Sequence, residues 1–93
     1  MRHVPNNVSE LSDYIGFLVL ACPDRFPPDR ELDLEGAFLL LQSSLCNLRE
    51  RLGALKYESL RRTGEVAEEL FERGDSREGR FLLQAMGTIL KRK

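Results

Sequence analysis

A leucine-rich run in the middle of the chain constrains the fold more than any other feature. Apolar residues recur there at alternating intervals of four and three positions: Leu34, Phe38, Leu41, Leu45, Leu48, Leu52 and Leu55. This spacing places them along one side of an α-helix. A chain of only 93 residues needs such a face for its own core, which favours the central helix of a small bundle. The alternative is the seam of a homodimer.

Apolar spacing predicts four helices, over about residues 8–21, 30–52, 54–73 and 76–90. No stretch shows the sustained two-residue alternation of a strand. Gly74 and Asp75 form a compact joint, since glycine favours the position after a helix and aspartate caps the next one. We therefore expect one all-α domain over 1–93, a small bundle of four helices with an antiparallel C-terminal hairpin and a frayed segment 1–7.

Polar residues before the first two helices predict where these helices begin. Asn7 is a suitable cap for the first, and Glu10, three residues later, can reach back to the cap. Asp29, after two prolines, is the corresponding cap for the second. On the third helix, Gly64 and Ala67 are small enough to let a neighbouring helix approach closely.

The same periodicity predicts which residues form the core. The first helix contributes Val8, Leu11, Ile15, Leu18, Val19 and Cys22, and the third contributes Leu55, Leu60, Thr63, Gly64, Ala67, Leu70 and Phe71. The fourth contributes Phe81, Leu82, Ala85, Met86, Ile89 and Leu90. We expect Cys22 and Cys46, which both lie in apolar runs, to be buried free thiols, with a disulfide between them as the alternative.

Composition and missing motifs exclude several classes of function. A net charge of -1 disfavours nucleic-acid binding. The "VLAC" box at 19–22 resembles a lipoprotein signal, but acidic Glu10 and Asp13 precede it and the apolar run is too short to span a bilayer. Two cysteines with one terminal histidine, His3, do not make a zinc site, and no phosphate loop or nucleophile motif occurs. We therefore expect a cytoplasmic protein with no enzyme activity and no cofactor.

An acidic row on the third helix is one candidate binding surface. Glu65, Glu68, Glu69 and Glu72 recur at helical spacing and share one side. They form either a solvated face or a docking surface for a basic protein partner. We expect partial compensation within the helix from Glu58 with Arg62 and from Glu69 with Arg73, and from Arg77 and Arg80 of the next helix.

The loop "ACPDRFPPDRELD" at 21–33 is the other candidate surface. Phe26 lies among charged residues and prolines, where it is either a plug beneath the bundle or an exposed anchor for a partner's pocket. As an anchor it would act together with its charged neighbours, which are Asp24, Arg25, Asp29 and Glu31.

The order of the segments "FPPDRELDLEGAFLLLQSSL", "LRRTGEVAEELFE" and "RGDSREG" resembles that of small all-helical immunity proteins of bacterial type VI secretion systems. The likeness covers roughly residues 12–90, and it is closest to the proteins that neutralise NAD-degrading or nucleotide-consuming toxins. It implies a protein that binds a toxin domain and covers its nucleotide pocket. The family offers no catalytic residues to carry over.

Sequence and resemblance together predict an immunity protein that occludes a toxin's active site, steered by acidic residues and sealed by an apolar anchor. One alternative is a secretion chaperone or adaptor that binds a segment along an apolar groove. Another is a small helical regulator that dimerises through the second helix. That regulator would contact nucleic acid through Arg49, Arg51, Lys56, Arg61 and Arg62.

Overall fold

The computed structural model describes residues 5–22, 25–26 and 33–91, and this part of the chain is helical with no strand. The helices are α1 (Val8–Ala21), α2 (Leu34–Asn47), α3 (Arg49–Leu52), α4 (Ala54–Glu72) and α5 (Ser76–Lys91). α1 and α4 each pack against both α2 and α5, so the four long helices form a closed ring around one core. The predicted all-α bundle with an antiparallel C-terminal hairpin is confirmed. No helix within the described ranges is long and apolar enough to cross a membrane.

The start of α1 follows the predicted capping pattern. The Asn7 side-chain oxygen accepts a hydrogen bond from the backbone N–H of Glu10 at 2.8 Å. The Glu10 carboxylate in turn accepts from the backbone N–H of Asn6 at 3.2 Å. Pro5 is buried, so the segment 5–7 is held by packing and hydrogen bonds. Residues 1–4 of the expected frayed end lie outside the described residues.

α2 begins later than the sequence predicts. Asp33 has extended backbone (φ -119°, ψ -179°), and its carboxylate accepts a hydrogen bond from the N–H of Gly36 at 2.7 Å. An aspartate in this geometry caps the helix that begins at the next residue. The predicted start at residue 30 is therefore wrong, and the predicted cap, Asp29, lies outside the described residues.

The predicted single helix over 30–52 is also interrupted near its end. Leu48 departs from helical geometry (φ -101°, ψ 9°) and separates α2 from the single turn of α3. One turn earlier, the buried hydroxyl of Ser44 donates to the carbonyl of Leu40 at 2.8 Å, a back-bond that bends helices. Gly53 then adopts φ 85°, which favours glycine, and sends the chain into α4 in a new direction.

The core lies inside this ring and matches most of the predicted positions. Its largest fully buried side chains are Phe38, Leu11, Leu18, Leu41, Leu45, Leu60, Leu83, Met86, Cys22 and Ser44. The leucine-rich run packs against the core as far as Leu52. Leu55 is 90% exposed because it follows the change of direction at Gly53. Its predicted place in the core is wrong.

The face that α5 presents to the core differs from the predicted one. Gly79, Leu83, Met86 and Leu90 are buried, at helical intervals of four, three and four. Phe81 lies two residues from Leu83 along the helix, so it faces away from the core and is 68% exposed. Its predicted burial is wrong, although Met86 and Leu90 are confirmed.

Two glycines allow the helices to approach closely. A Cβ added at Gly64 would lie 2.9 Å from the side-chain nitrogen of Gln42, as the predicted close approach requires. One added at Gly79 would lie 2.8 Å from the ring of Phe71, so α5 rests almost directly on that ring. The backbone of α5 therefore passes the α4 side chains at a distance that only glycine permits.

The joint between α4 and α5 has the predicted glycine ending. Gly74 has φ 88° and donates its N–H to the carbonyl of Phe71 at 3.2 Å. Asp75 donates to the carbonyl of Leu70 at 2.8 Å. These two bonds form a Schellman motif, which satisfies the last carbonyls of α4 and turns the chain back into the hairpin.

Candidate protein-binding site

The acidic row on α4 contains glutamates that are paired within their own helix. Arg61 binds Glu65 of the row, and it also lies 3.1 Å from Glu58, which precedes the row in α4. Its hydrogen bond is the main reason that the pKa of Glu58 lies below its ordinary value. Glu58 therefore forms its ion pair with Arg61 and not with the predicted Arg62, although the charge of Arg62 also lowers the pKa of Glu58.

At the other end of the row, Glu69 lies 3.9 Å from Arg73, so the predicted pair is present. Arg73 also lies 3.6 Å from Asp75. Glu68 and Glu72, in contrast, form no ion pair with any residue in the described part of the chain. The row therefore contains both ion-paired and unpaired glutamates. The two unpaired ones, Glu68 and Glu72, lie four residues apart on the same side of α4.

Glu68 is the centre of a carboxylate group that extends beyond α4. Burial raises its pKa above the ordinary value, and the negative charges of Glu72, Glu35 and Glu65 raise it further. Glu35 belongs to the first turn of α2, which the fold brings beside α4. We call Glu35, Glu65, Glu68 and Glu72 the acidic cluster. It holds like charges together, and a positively charged group of another molecule would relieve their repulsion.

The expected neutralisation by the two arginines of α5, Arg77 and Arg80, is not found in this cluster. Arg80 instead donates to the carbonyl oxygens of Val19 (3.0 Å) and Cys22 (3.3 Å) at the C-terminal end of α1. A cation in this position satisfies the last carbonyls of the helix and complements its dipole. Arg77 is exposed and forms no ion pair with another described residue.

The described part of the proline-rich loop packs on the bundle. Phe26 is half-buried, and its ring centroid lies 6.2 Å from that of Phe17 on α1. Arg25 is exposed, and its N–H donates to the carbonyl of Ala21 at 2.6 Å. This geometry corresponds to the plug, the first of the two roles considered for Phe26. Asp24, Asp29 and Glu31, the other predicted contact residues of this loop, lie outside the described residues.

A second surface, which the sequence did not indicate, lies along the outer side of the α4–α5 hairpin. We call it the outer groove. Its residues are Leu55, Lys56, Ser59, Val66 and Leu70 of α4, and Arg77, Glu78, Arg80, Phe81, Leu82, Gln84, Ala85, Thr88 and Ile89 of α5. Phe81 and Gln84 line both halves of it. The spacing of Gly79, Leu83, Met86 and Leu90 is the sequence signal for this face, because it places Leu83 and Met86, and not Phe81, on the inner side of α5.

The two cysteines have different surroundings, and both are free thiols. Cys22 is buried as predicted, and burial raises its pKa to about 12, although the charge of Arg80 partly opposes this. Cys46 is exposed, which contradicts its predicted burial. It lies on the outer side of α2, next to Asn47, which is also exposed.

The basic residues of the nucleic-acid alternative are partly engaged within the bundle. The guanidinium of Arg49 lies 5.4 Å from the ring centroid of Tyr57, and Arg61 binds two glutamates. These contacts hold both cations against groups of their own chain.

Within the described ranges, no three His, Cys, Asp or Glu side chains are grouped so that they could hold a metal ion. Comparisons with protein-family models, with curated proteins and with solved structures find no match for this chain.

Proposed function

We propose that this chain is a bacterial, cytoplasmic immunity protein that neutralises a cognate toxin by binding over its active site. The observation that supports this function is the acidic cluster. Burial raises the pKa of Glu68, and three neighbouring carboxylates on two packed helices raise it further. Their repulsion is reduced when a basic surface binds, so the cluster favours a cationic protein partner.

A toxin that consumes a nucleotide is a partner of this chemistry. Its pocket must hold phosphate groups, which proteins bind with arginine, lysine and backbone N–H groups. Such a cleft is positively charged, and the acidic cluster is complementary to it. The immunity protein then needs no catalytic group, because inhibition results from covering the cleft.

The test is affinity capture from the source cells with three tagged baits: the wild type, Glu68→Lys/Glu72→Lys and Asp13→Lys/Glu50→Lys. The last two change net charge equally, but Asp13 and Glu50 are exposed residues of α1 and α3 outside the acidic cluster. We expect one stoichiometric partner with a toxin enzyme domain, retained by the wild type and the control and lost by the cluster variant. With the purified pair, the cluster variant should associate more slowly, and the wild type should inhibit the enzyme. Equal retention by all three baits would contradict the proposed role of the cluster.

The outer groove favours a second candidate, an adaptor or secretion chaperone that binds a segment of another protein. Leu55 and Phe81 are 90% and 68% exposed, and several further apolar residues flank them. Exposed apolar side chains gathered in one groove are typical of protein-binding surfaces. This candidate predicts a partner that is lost on substitution of Phe81 and retained on substitution of Glu68 and Glu72.

A further inference from the structure

The outer groove is long enough to hold a helix of several turns. Its two halves meet at Phe81 and Gln84 and so form one continuous surface. Leu55 and Leu70 line opposite ends of it and lie fifteen residues apart in α4. At about 1.5 Å per residue, this separation gives a groove of about 22 Å.

Positive charge dominates the lining of this groove. Lys56, Arg77 and Arg80 contribute three cations, and Glu78 contributes one anion. Arg77 is exposed at the groove and is not paired with any residue of the described ranges. Glu69, which precedes Leu70, is compensated by Arg73. Because Arg80 already caps α1, the exposed Arg77 is the cation that favours an occupant with acidic flanks over a basic one.

We propose that the outer groove binds an amphipathic α-helix of a partner protein, with an apolar face toward Phe81 and Leu55 and with acidic flanks. A helix pairs its own backbone groups, whereas an extended segment laid across the side chains of α4 and α5 finds no backbone partners there and depends on water. Apolar residues at i, i+3, i+4 and i+7 match the apolar lining of such a groove. This inference rests on the adaptor candidate and does not depend on the acidic cluster.

Two labelled synthetic peptides of about fifteen residues test it. They carry the same leucines at i, i+3, i+4 and i+7, and their flanks are glutamate in one and lysine in the other. Titration by fluorescence anisotropy should show the glutamate peptide binding roughly three- to tenfold more tightly, with the difference shrinking at high salt. Arg77→Glu should abolish or reverse that preference.

A matched pair of variants locates the binding surface. Phe81→Ser should weaken binding of the glutamate peptide by roughly tenfold or more. Leu39→Ser should leave it unchanged, because Leu39 is 67% exposed, like Phe81 at 68%, but lies on α2 outside the groove. Circular dichroism checks that both variants remain folded. Glu68→Lys/Glu72→Lys should bind the peptide as the wild type does, so a failure of the groove and a failure of the acidic cluster are distinguishable.

Three results would overturn the proposal. They are an equal or stronger affinity for the lysine peptide, no binding of either peptide, and equal binding by the Phe81→Ser variant. Sedimentation of the protein alone tests whether a second copy of the chain occupies the groove. A homodimer that Phe81→Ser dissociates would assign the groove to a second copy of the chain instead.

Discussion

Substitution of Gly79 by alanine tests how closely α4 and α5 pack. A Cβ at this position would lie 2.8 Å from Cε2 and 2.9 Å from Cδ2 of Phe71. Phe71 is only 4% exposed, and its ring lies 6.1 Å from that of Phe38, centroid to centroid. The ring therefore cannot move away without disturbing the core, and the added methyl group overpacks the interface.

Two opposing effects set the change in the free energy of unfolding, and the same substitution at Gly87 isolates one of them. Alanine in a helix interior is favoured over glycine by about 1 kcal/mol, whereas overpacking a core costs about 1–3 kcal/mol. A Cβ at Gly87, in the same helix, has no atom within 4 Å, so Gly87→Ala carries the favourable effect alone. Gly79→Ala should therefore be less stable than Gly87→Ala by about 1–3 kcal/mol.

Urea unfolding followed by far-ultraviolet circular dichroism measures this difference. With similar slopes for the two variants, the midpoints should differ by on the order of 1 M. Gly16→Ala, in α1 and also without neighbours at its Cβ, should be at least as stable as the wild type. Equal midpoints for Gly79→Ala and Gly87→Ala would refute the close approach of α5 to Phe71.

Three further predictions concern individual side chains. Glu68→Gln should raise stability at neutral pH by about 0.2–0.5 kcal/mol, because it removes a like-charge i, i+4 repulsion with Glu72. Since folding raises the pKa of Glu68 above 4.5, the wild type should lose stability relative to the variant as the pH rises just above that value, and a difference in urea midpoint that is the same at all pH values would contradict this. Arg80→Leu should lower the free energy of unfolding by about 1–3 kcal/mol, because two carbonyls at the end of α1 lose their donor. Calorimetry should show this loss, with partial recovery in Arg80→Lys; a wild-type melting temperature for Arg80→Leu would count against the cap. Alkylation of the native protein, read by mass spectrometry, should modify the exposed Cys46 first and Cys22 only on unfolding, because burial raises the Cys22 pKa to about 12. Equal rates would argue against the burial of Cys22.

Two features that depend on neighbours in the chain, the cap of α1 and the turn after α4, were predicted correctly. The Asn7 cap involves a contact three residues away, and the turn at Gly74 involves contacts three to five residues away. Such contacts are determined by residue types at fixed short spacings, which the sequence displays directly. The α4–α5 hairpin follows from the same local signals, and the all-α class follows from the apolar periodicity.

Features that depend on helix direction and on distant residues were not predicted. The spacing of the leucine-rich run continues through Gly53 to Leu55, but the positive φ of Gly53 redirects the chain and exposes that leucine. Hydrophobicity favours Phe81 as a core residue, yet a buried glycine, Gly79, determines which side of α5 faces inward. Glu35 approaches Glu68 only through packing of α2 on α4, and no local pattern indicates this.

The two proposed surfaces share α4 but lie on different sides of it, and this arrangement decides how binding data are interpreted. The acidic cluster extends from α4 to α2, whereas the outer groove extends from α4 to α5. Their charges are opposite in sign, so one uniform partner surface cannot complement both. If two partners bind, Glu68→Lys/Glu72→Lys and Phe81→Ser should each weaken one complex and leave the other unchanged. If a single partner covers both surfaces, each variant should weaken the same complex, and the losses in binding free energy should add in the combined variant because the substituted residues do not share partners.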